Sequence, residues 1–163
     1  MLNNTMFTTG AGKRLTFSEV VESVRAFNEL PDSKIIVGAD SQKINKRRGF
    51  SFVTVVCCIT EGKGAHYFYW KKYRKPHRNM QLQAELSWKM WQEAEDITKT
   101  ILALIKQGID LSGIPTHHDL GYDGESRNHI KGILGMMKAY GYKPEIKPNS
   151  FVADAIADKH SKH

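Results

Sequence analysis

The chain has 163 residues, of which 40% are apolar and 25% charged, the balance of a globular protein rather than a disordered or membrane one, and one that fits a single hydrophobic core. No stretch approaches the roughly 20 uninterrupted apolar residues of a spanning helix. No membrane partner is therefore expected, and the absence of an export-like N-terminal pattern makes the cytoplasm the expected location. The net charge of +7 raises the prior for a polyanionic partner, because each Lys or Arg that neutralises a phosphate releases condensed counterions.

Residues 1–15 carry no periodic apolar pattern and are expected to be irregular. Their Thr9-Gly-Ala-Gly-Lys13 run superficially resembles a phosphate-binding loop. That pattern requires Gly at position 7 and Ser or Thr at position 14, where Phe7 and Arg14 stand, so it is discarded. Thr16-Phe-Ser-Glu19 is a capping box. Phe17, Val20, Val21, Val24 and Phe27 then recur at helical spacing, predicting a helix from about 17 to 29 that Pro31-Asp32 ends.

Lys34-Ile-Ile-Val-Gly-Ala-Asp40 predicts a strand, Phe50 to Thr60 a second, and the turn Glu61-Gly-Lys-Gly64 leads to a third at 65–71. Short connections make these an antiparallel meander. Cys57 and Cys58 are adjacent within the second run, so alternation sends them to opposite faces as small buried hydrophobes. They exclude both a disulfide framework and a zinc site.

Met80 to Gln107 lacks Gly and Pro and predicts a long helix with Ala84, Trp88, Trp91, Ile101 and Ile105 on its apolar face. A fourth strand is expected over 114–119, a helix over 126–140, a fifth strand over 142–147 and a short terminal helix over 151–160. The whole, residues 1–163, is expected to be a single α/β domain. Its mixed five-stranded sheet combines a three-strand antiparallel meander with two strands reached by helical crossovers, and helices cover both faces.

This topology brings four acids toward one place. Asp40 and Asp119 end strands, Glu85 starts the long helix and Asp158 lies in the terminal one. Phosphodiester hydrolysis needs charge neutralisation on attacking and leaving oxygens, which two hard cations roughly 3.5–4 Å apart can supply. Such cations take oxygen ligands, so the expected cofactor is Mg²⁺ or Mn²⁺ in a two-ion site. Read singly, Glu85 and Asp158 are more ordinary as solvated surface groups. Asp40 and Asp119 stand out because each follows an apolar or histidine-rich strand.

Ile36-Val-Gly-Ala-Asp-Ser-Gln42, Glu85-Leu-Ser87, His117-His-Asp-Leu-Gly121 and Ile146-Lys-Pro-Asn-Ser-Phe151, running into Ala157-Asp-Lys159, resemble in order and spacing the YkuK-type group of ribonuclease H-like proteins. The likeness spans nearly the whole chain. It implies a ribonuclease H-like fold, with Asp40 as the first-strand acid, Asp119 as the fourth-strand acid and Glu85 as the acid of the long helix. For the last acid, Asp158 is preferred over Asp154.

The implied activity is metal-dependent hydrolysis of a phosphodiester in RNA, DNA or a hybrid. In that reading Asp40, Glu85, Asp119 and Asp158 hold metal, and His117 or His160 carries a proton to the leaving oxygen. For both histidines a merely structural role carries more weight. The alternative for the chain is a nucleic-acid-binding module that keeps the fold without catalysis. Candidate nucleic-acid contacts are Ser41 and Gln42, the basic run Lys43, Lys46, Arg47 and Arg48, the run Lys71, Lys72 and Arg74, and Lys159. Trp70 or Tyr73 is a candidate base-stacking ring.

Overall fold

A computed structural model of the chain describes residues 2–44, 49–122 and 127–162. Its elements run β1 (Phe7–Thr9), β2 (Arg14–Leu15), α1 (Phe17–Asn28), β3 (Ser33–Ile44), β4 (Gly49–Thr60), β5 (Gly64–Arg74), α2 (Leu82–Lys106), β6 (Pro115–His118), α3 (Arg127–Ala139) and β7 (Lys143–Glu145). A terminal helix follows, π-wound over Val152–Ala157 and α-helical over Asp158–Ser161.

The strands form one seven-stranded sheet in the order β2-β1-β5-β4-β3-β6-β7. The β3-β4-β5 meander is antiparallel, whereas β6 joins β3 and β7 joins β6 in parallel. Five strands were expected, and the two more come from the segment expected to be irregular. Phe7 is fully buried there, which anchors β1 on the free edge of β5 through Thr8↔Tyr69 and Thr9↔Phe68. The discarded loop motif is the turn joining β1 to β2. Gly12 supplies its positive φ of 88°, and Thr9 N donates to Lys13 O at 2.8 Å.

Alternation along β3 divides the molecule into layers. Ile35, Val37 and Ala39 pack with Val20 and Val24 of α1, Ile97, Ile101 and Leu104 of α2, and Ile133 and Met137 of α3. Ile36 faces the other way and packs with Val53, Val55 and Cys57 of β4 and Val152 and Ala157 of the terminal helix. Cys58 belongs to the first cluster and Cys57 to the second, both as free, buried thiols. The α1 capping box is present, with Glu19 N donating to Thr16 Oγ1 and Thr16 N donating to Glu19 Oε2.

The buried stripe of α2 differs from the expected one. Met90, Glu93, Ala94, Ile97, Ile101 and Leu104 are buried, while Trp91 and Ile105 are 37% and 40% exposed. Trp88 packs edge-on against Phe50 and Phe52. Among the described residues no helix is long and apolar enough to cross a membrane.

Candidate active site

The parallel ladder between β3 and β6 ends at Ala39↔His118. Asp40 and Asp119 are the next residues along the two strands, so both acids emerge side by side where the ladder stops. Asp40 stays paired only with Val53 of β4 on its other flank. It shares the face of Gly38, whose missing side chain lets Val152 and Ala153 of the terminal helix approach.

Asp40 has no exposed surface. Its Oδ2 accepts from Ser161 Oγ at 2.9 Å, whereas Oδ1 is buried without a hydrogen-bond partner and has Lys89 Nζ at 4.0 Å. Burial pushes this carboxyl up to about 6, against the lowering pull of Lys89 and the Ser161 hydrogen bond. A buried charged oxygen without a donor is costly, and such atoms concentrate where a ligand completes the site.

Asp119 carries an ion pair from Lys147 Nζ at 2.5 Å. Burial would raise its carboxyl, but the Lys147 hydrogen bond and charge outweigh burial and hold it below the usual range. Asp154 shares a side-chain hydrogen bond with Asp119, and both its oxygens accept from Ser150 Oγ at 3.0 Å. Burial first, then the Asp119 contact and charge, raise Asp154, while Asp119 is held low.

From α2, Glu93 lies beside Asp40. Its Oε1 accepts from Ser41 Oγ at 2.6 Å and faces Lys89 Nζ at 3.4 Å. Burial pushes Glu93 up to about 7, opposed by Lys89 and reinforced by the charge of Asp40. Burial alone would lower the Lys89 ammonium, yet the charges of Glu93, Asp40 and Asp119 outweigh it and raise it. The site is thus an acid cluster from β3, β6, α2 and the terminal helix, threaded by two lysines.

Of the acids anticipated from the sequence, Asp40 and Asp119 meet here. Glu85 instead pairs with Lys43 Nζ at 2.6 Å near the start of α2. Asp158 accepts from Gln42 Nε2 at 3.0 Å and pairs with Lys162 at 2.5 Å. Glu93 was not anticipated, and of the two candidates for the last acid it is Asp154, not the preferred Asp158, that reaches Asp119. Glu93 falls on the Met90-Ile97-Ile101-Leu104 stripe, and a charge on a buried stripe is the signal that marks it.

His117 accepts from Val152 N at 3.2 Å through Nδ1 and lies edge-on to Phe151. Burial pushes it down to about 4, so the neutral ring holds the start of the terminal helix. His118 is bonded to Thr116 Oγ1 at 3.0 Å and pushed down to about 3 by burial. His160 stacks on Tyr69 with ring centroids 3.9 Å apart and bonds to Tyr67 Oη at 3.0 Å.

Several anticipated nucleic-acid contacts are engaged within the protein. Ser41 is buried against Glu93, Gln42 holds Asp158, and Lys43 lies within β3 rather than in a connection, bound to Glu85. Arg74 ends β5 and makes a two-pronged contact with buried Asp96, both N···O distances 2.5 Å. Trp70 is buried and donates to Thr100 Oγ1 at 3.2 Å, which removes it as a stacking platform. Lys71, Lys72 and Lys159 are exposed, and Tyr73 is 38% exposed. Lys46, Arg47 and Arg48 lie outside the described residues.

Among the described residues no three His, Cys, Asp or Glu side chains already converge as a ligand set. The donor chemistry nonetheless suits a hard cation, since Asp40 Oδ1 is buried and unpartnered and ionised Asp119 emerges beside it.

Similarity to known proteins agrees with the topology. Residues 18–162 match the family described as ribonuclease H-like. The "Uncharacterized protein YkuK" of Bacillus subtilis (strain 168) is 27% identical over 179 aligned positions that cover 99% of this chain and 100% of that protein. No solved structure matches. A family match over most of the chain and a full-length YkuK relative lead to one conclusion: the protein belongs to the ribonuclease H-like family, in its YkuK-type group.

Proposed function

We propose that the protein hydrolyses phosphodiester bonds in nucleic acid with the help of a divalent cation. The observation that carries this reading is the unpartnered, buried Oδ1 of Asp40 beside Asp119 at the end of the β3-β6 ladder. Mg²⁺ or Mn²⁺ held by Asp40 and Asp119 would neutralise charge on a phosphate and acidify a bound water. Ser161 fixes the Asp40 carboxylate by binding Oδ2, which leaves Oδ1 as the ligating atom. Lys147 favours the ionised form of Asp119, and Asp154 stands one hydrogen bond away.

The sheet also offers a route for a polyanion. The register aligns Asp40 with Val53 and Val53 with Lys71, so exposed Lys71 sits two strands from Asp40, roughly 10 Å away. Alternation puts Lys71 and Tyr73 on the same side of β5 as Tyr69, toward the terminal helix. An ammonium and an aromatic ring at that spacing suit a phosphate and its neighbouring base.

The test is cleavage of single-stranded RNA, single-stranded DNA, duplexes and hybrids by the purified chain with Mg²⁺ or Mn²⁺, beside Asp40→Asn and Asp119→Asn. Cleavage that needs metal and disappears in both variants supports the reading. Cleavage that survives Asp40→Asn overturns it. Salt-sensitive binding without cleavage under any metal would replace it with a binding module.

A further inference from the structure

A two-ion hydrolytic site brings four positive charges, balanced by carboxylates and substrate phosphate. Here the cluster contains Asp40, Glu93, Asp119 and Asp154, and two ammonium groups already stand in it. Lys147 is against Asp119, while Lys89 lies 3.4 Å from Glu93 Oε1 and 4.0 Å from Asp40 Oδ1. Even with all four carboxyls ionised, the charge left over matches one divalent cation and falls short of two.

The placement of Lys89 is also specific. It lies one helical turn before Glu93, and its side chain is only 19% exposed. It reaches Asp40 on the oxygen that no donor occupies, while Ser161 takes the other oxygen. Glu93 Oε1 is held in place by Ser41, so the ammonium faces an oxygen of fixed position 3.4 Å away.

We infer that the Lys89 ammonium takes the place of the second divalent cation, so that the site binds one metal ion per chain and Lys89 supplies fixed positive charge beside Asp40. The inference rests on the metal-dependent reading above and narrows it. Lys89 acts as a charge-supplying and positioning group through Asp40 and Glu93.

The experiment is Mn²⁺ binding to the full chain at pH 7 and low salt, read by calorimetry and by the electron paramagnetic resonance signal of free Mn²⁺. The wild-type chain should bind one Mn²⁺. Lys89→Gln should bind two, or bind the first at least about tenfold more tightly, because a positive charge within a few ångströms has been removed. Lys89→Arg, which keeps the charge, should keep the wild-type count of one.

Two ions on the wild-type chain would overturn the inference and leave the metal-dependent reading standing. Unchanged count and affinity in Lys89→Gln would also overturn it. No Mn²⁺ on the wild-type chain would sink both. The wild-type count needs no variant, so it decides even if Lys89→Gln fails to fold.

Discussion

Gly38 and Val152 are in such close approach that a Cβ at position 38 would stand 2.9 Å from Val152 Cγ1, with Ala153 N at 3.2 Å. The strand carrying Asp40 and the helix carrying Asp154 and Ser161 are therefore packed backbone to backbone. Gly38→Ala should lower stability by about 1–3 kcal/mol through overpacking, measured as a lower denaturation midpoint in urea. Because it displaces the helix that supplies Ser161 and Asp154, any cleavage should fall with it. A variant of wild-type stability would refute this packing.

The Ser161 hydroxyl donates to Asp40 Oδ2 at 2.9 Å. Ser161→Ala should destabilise the fold by about 1–3 kcal/mol, the effect of stranding a buried charged acceptor. Equilibrium unfolding at pH 7 checks it. A change below a few tenths of a kcal/mol would mean that Oδ2 is solvated in solution.

Arg74 and Asp96 form a buried, two-pronged pair. Removing one partner leaves the other charge buried, so Arg74→Ala should cost about 3–5 kcal/mol. Arg74→Lys should recover only part of this, since an ammonium cannot reproduce the planar fork. The readout is stability, and a loss of nucleic-acid affinity without a loss of stability would contradict the assignment.

His117 and His118 are held neutral, at about 4 and about 3. The unfolded chain protonates its histidines near pH 6.5, so both contribute stability that is full above that value and is lost as pH falls toward 4. Asp40 and Glu93, raised to about 6 and about 7, act oppositely and lose stability as pH rises through the same range. The difference between wild type and His118→Gln isolates one histidine. The variant should have the flatter acid limb, by up to about 1.4 kcal/mol per pH unit, and the His118 ring proton should show no titration by NMR between pH 5 and 8.

Lys71 and Lys72 are adjacent yet point to opposite faces of β5. If nucleic acid runs across the face of Asp40, Lys71→Ala should weaken binding and reduce the slope of log K against log salt by about 1. Lys72→Ala should leave the slope unchanged. Equal effects would place the polyanion elsewhere.

Much of this arrangement is legible in the residues themselves. The Thr16/Glu19 box starts α1, the apolar run 35–37 leads to Asp40, and the order of strands and helices puts Asp40 and Asp119 on neighbouring strand ends. The remainder is decided by packing. The stripe expected for α2 runs through Ala84, Trp88, Trp91, Ile101 and Ile105, but Trp91 and Ile105 are partly exposed and the buried face is set by Met90, Ile97, Ile101 and Leu104, which carries Glu93 inward in place of Glu85. Asp154 and Asp158 are four residues apart and equivalent on a helical wheel. Ser150 and Asp119 engage the first, Gln42 and Lys162 the second. The N-terminal hairpin was hidden because its pairing to β5 rests on one buried ring, Phe7, rather than on a periodic pattern.

The bond from Ser161 to Asp40 spans 121 positions. During synthesis the strand bearing position 40 is made early, but its acid acquires its lasting partner only after residue 161 has emerged and docked. Any chemistry at that carboxylate therefore waits until the last helix has docked on that earlier strand.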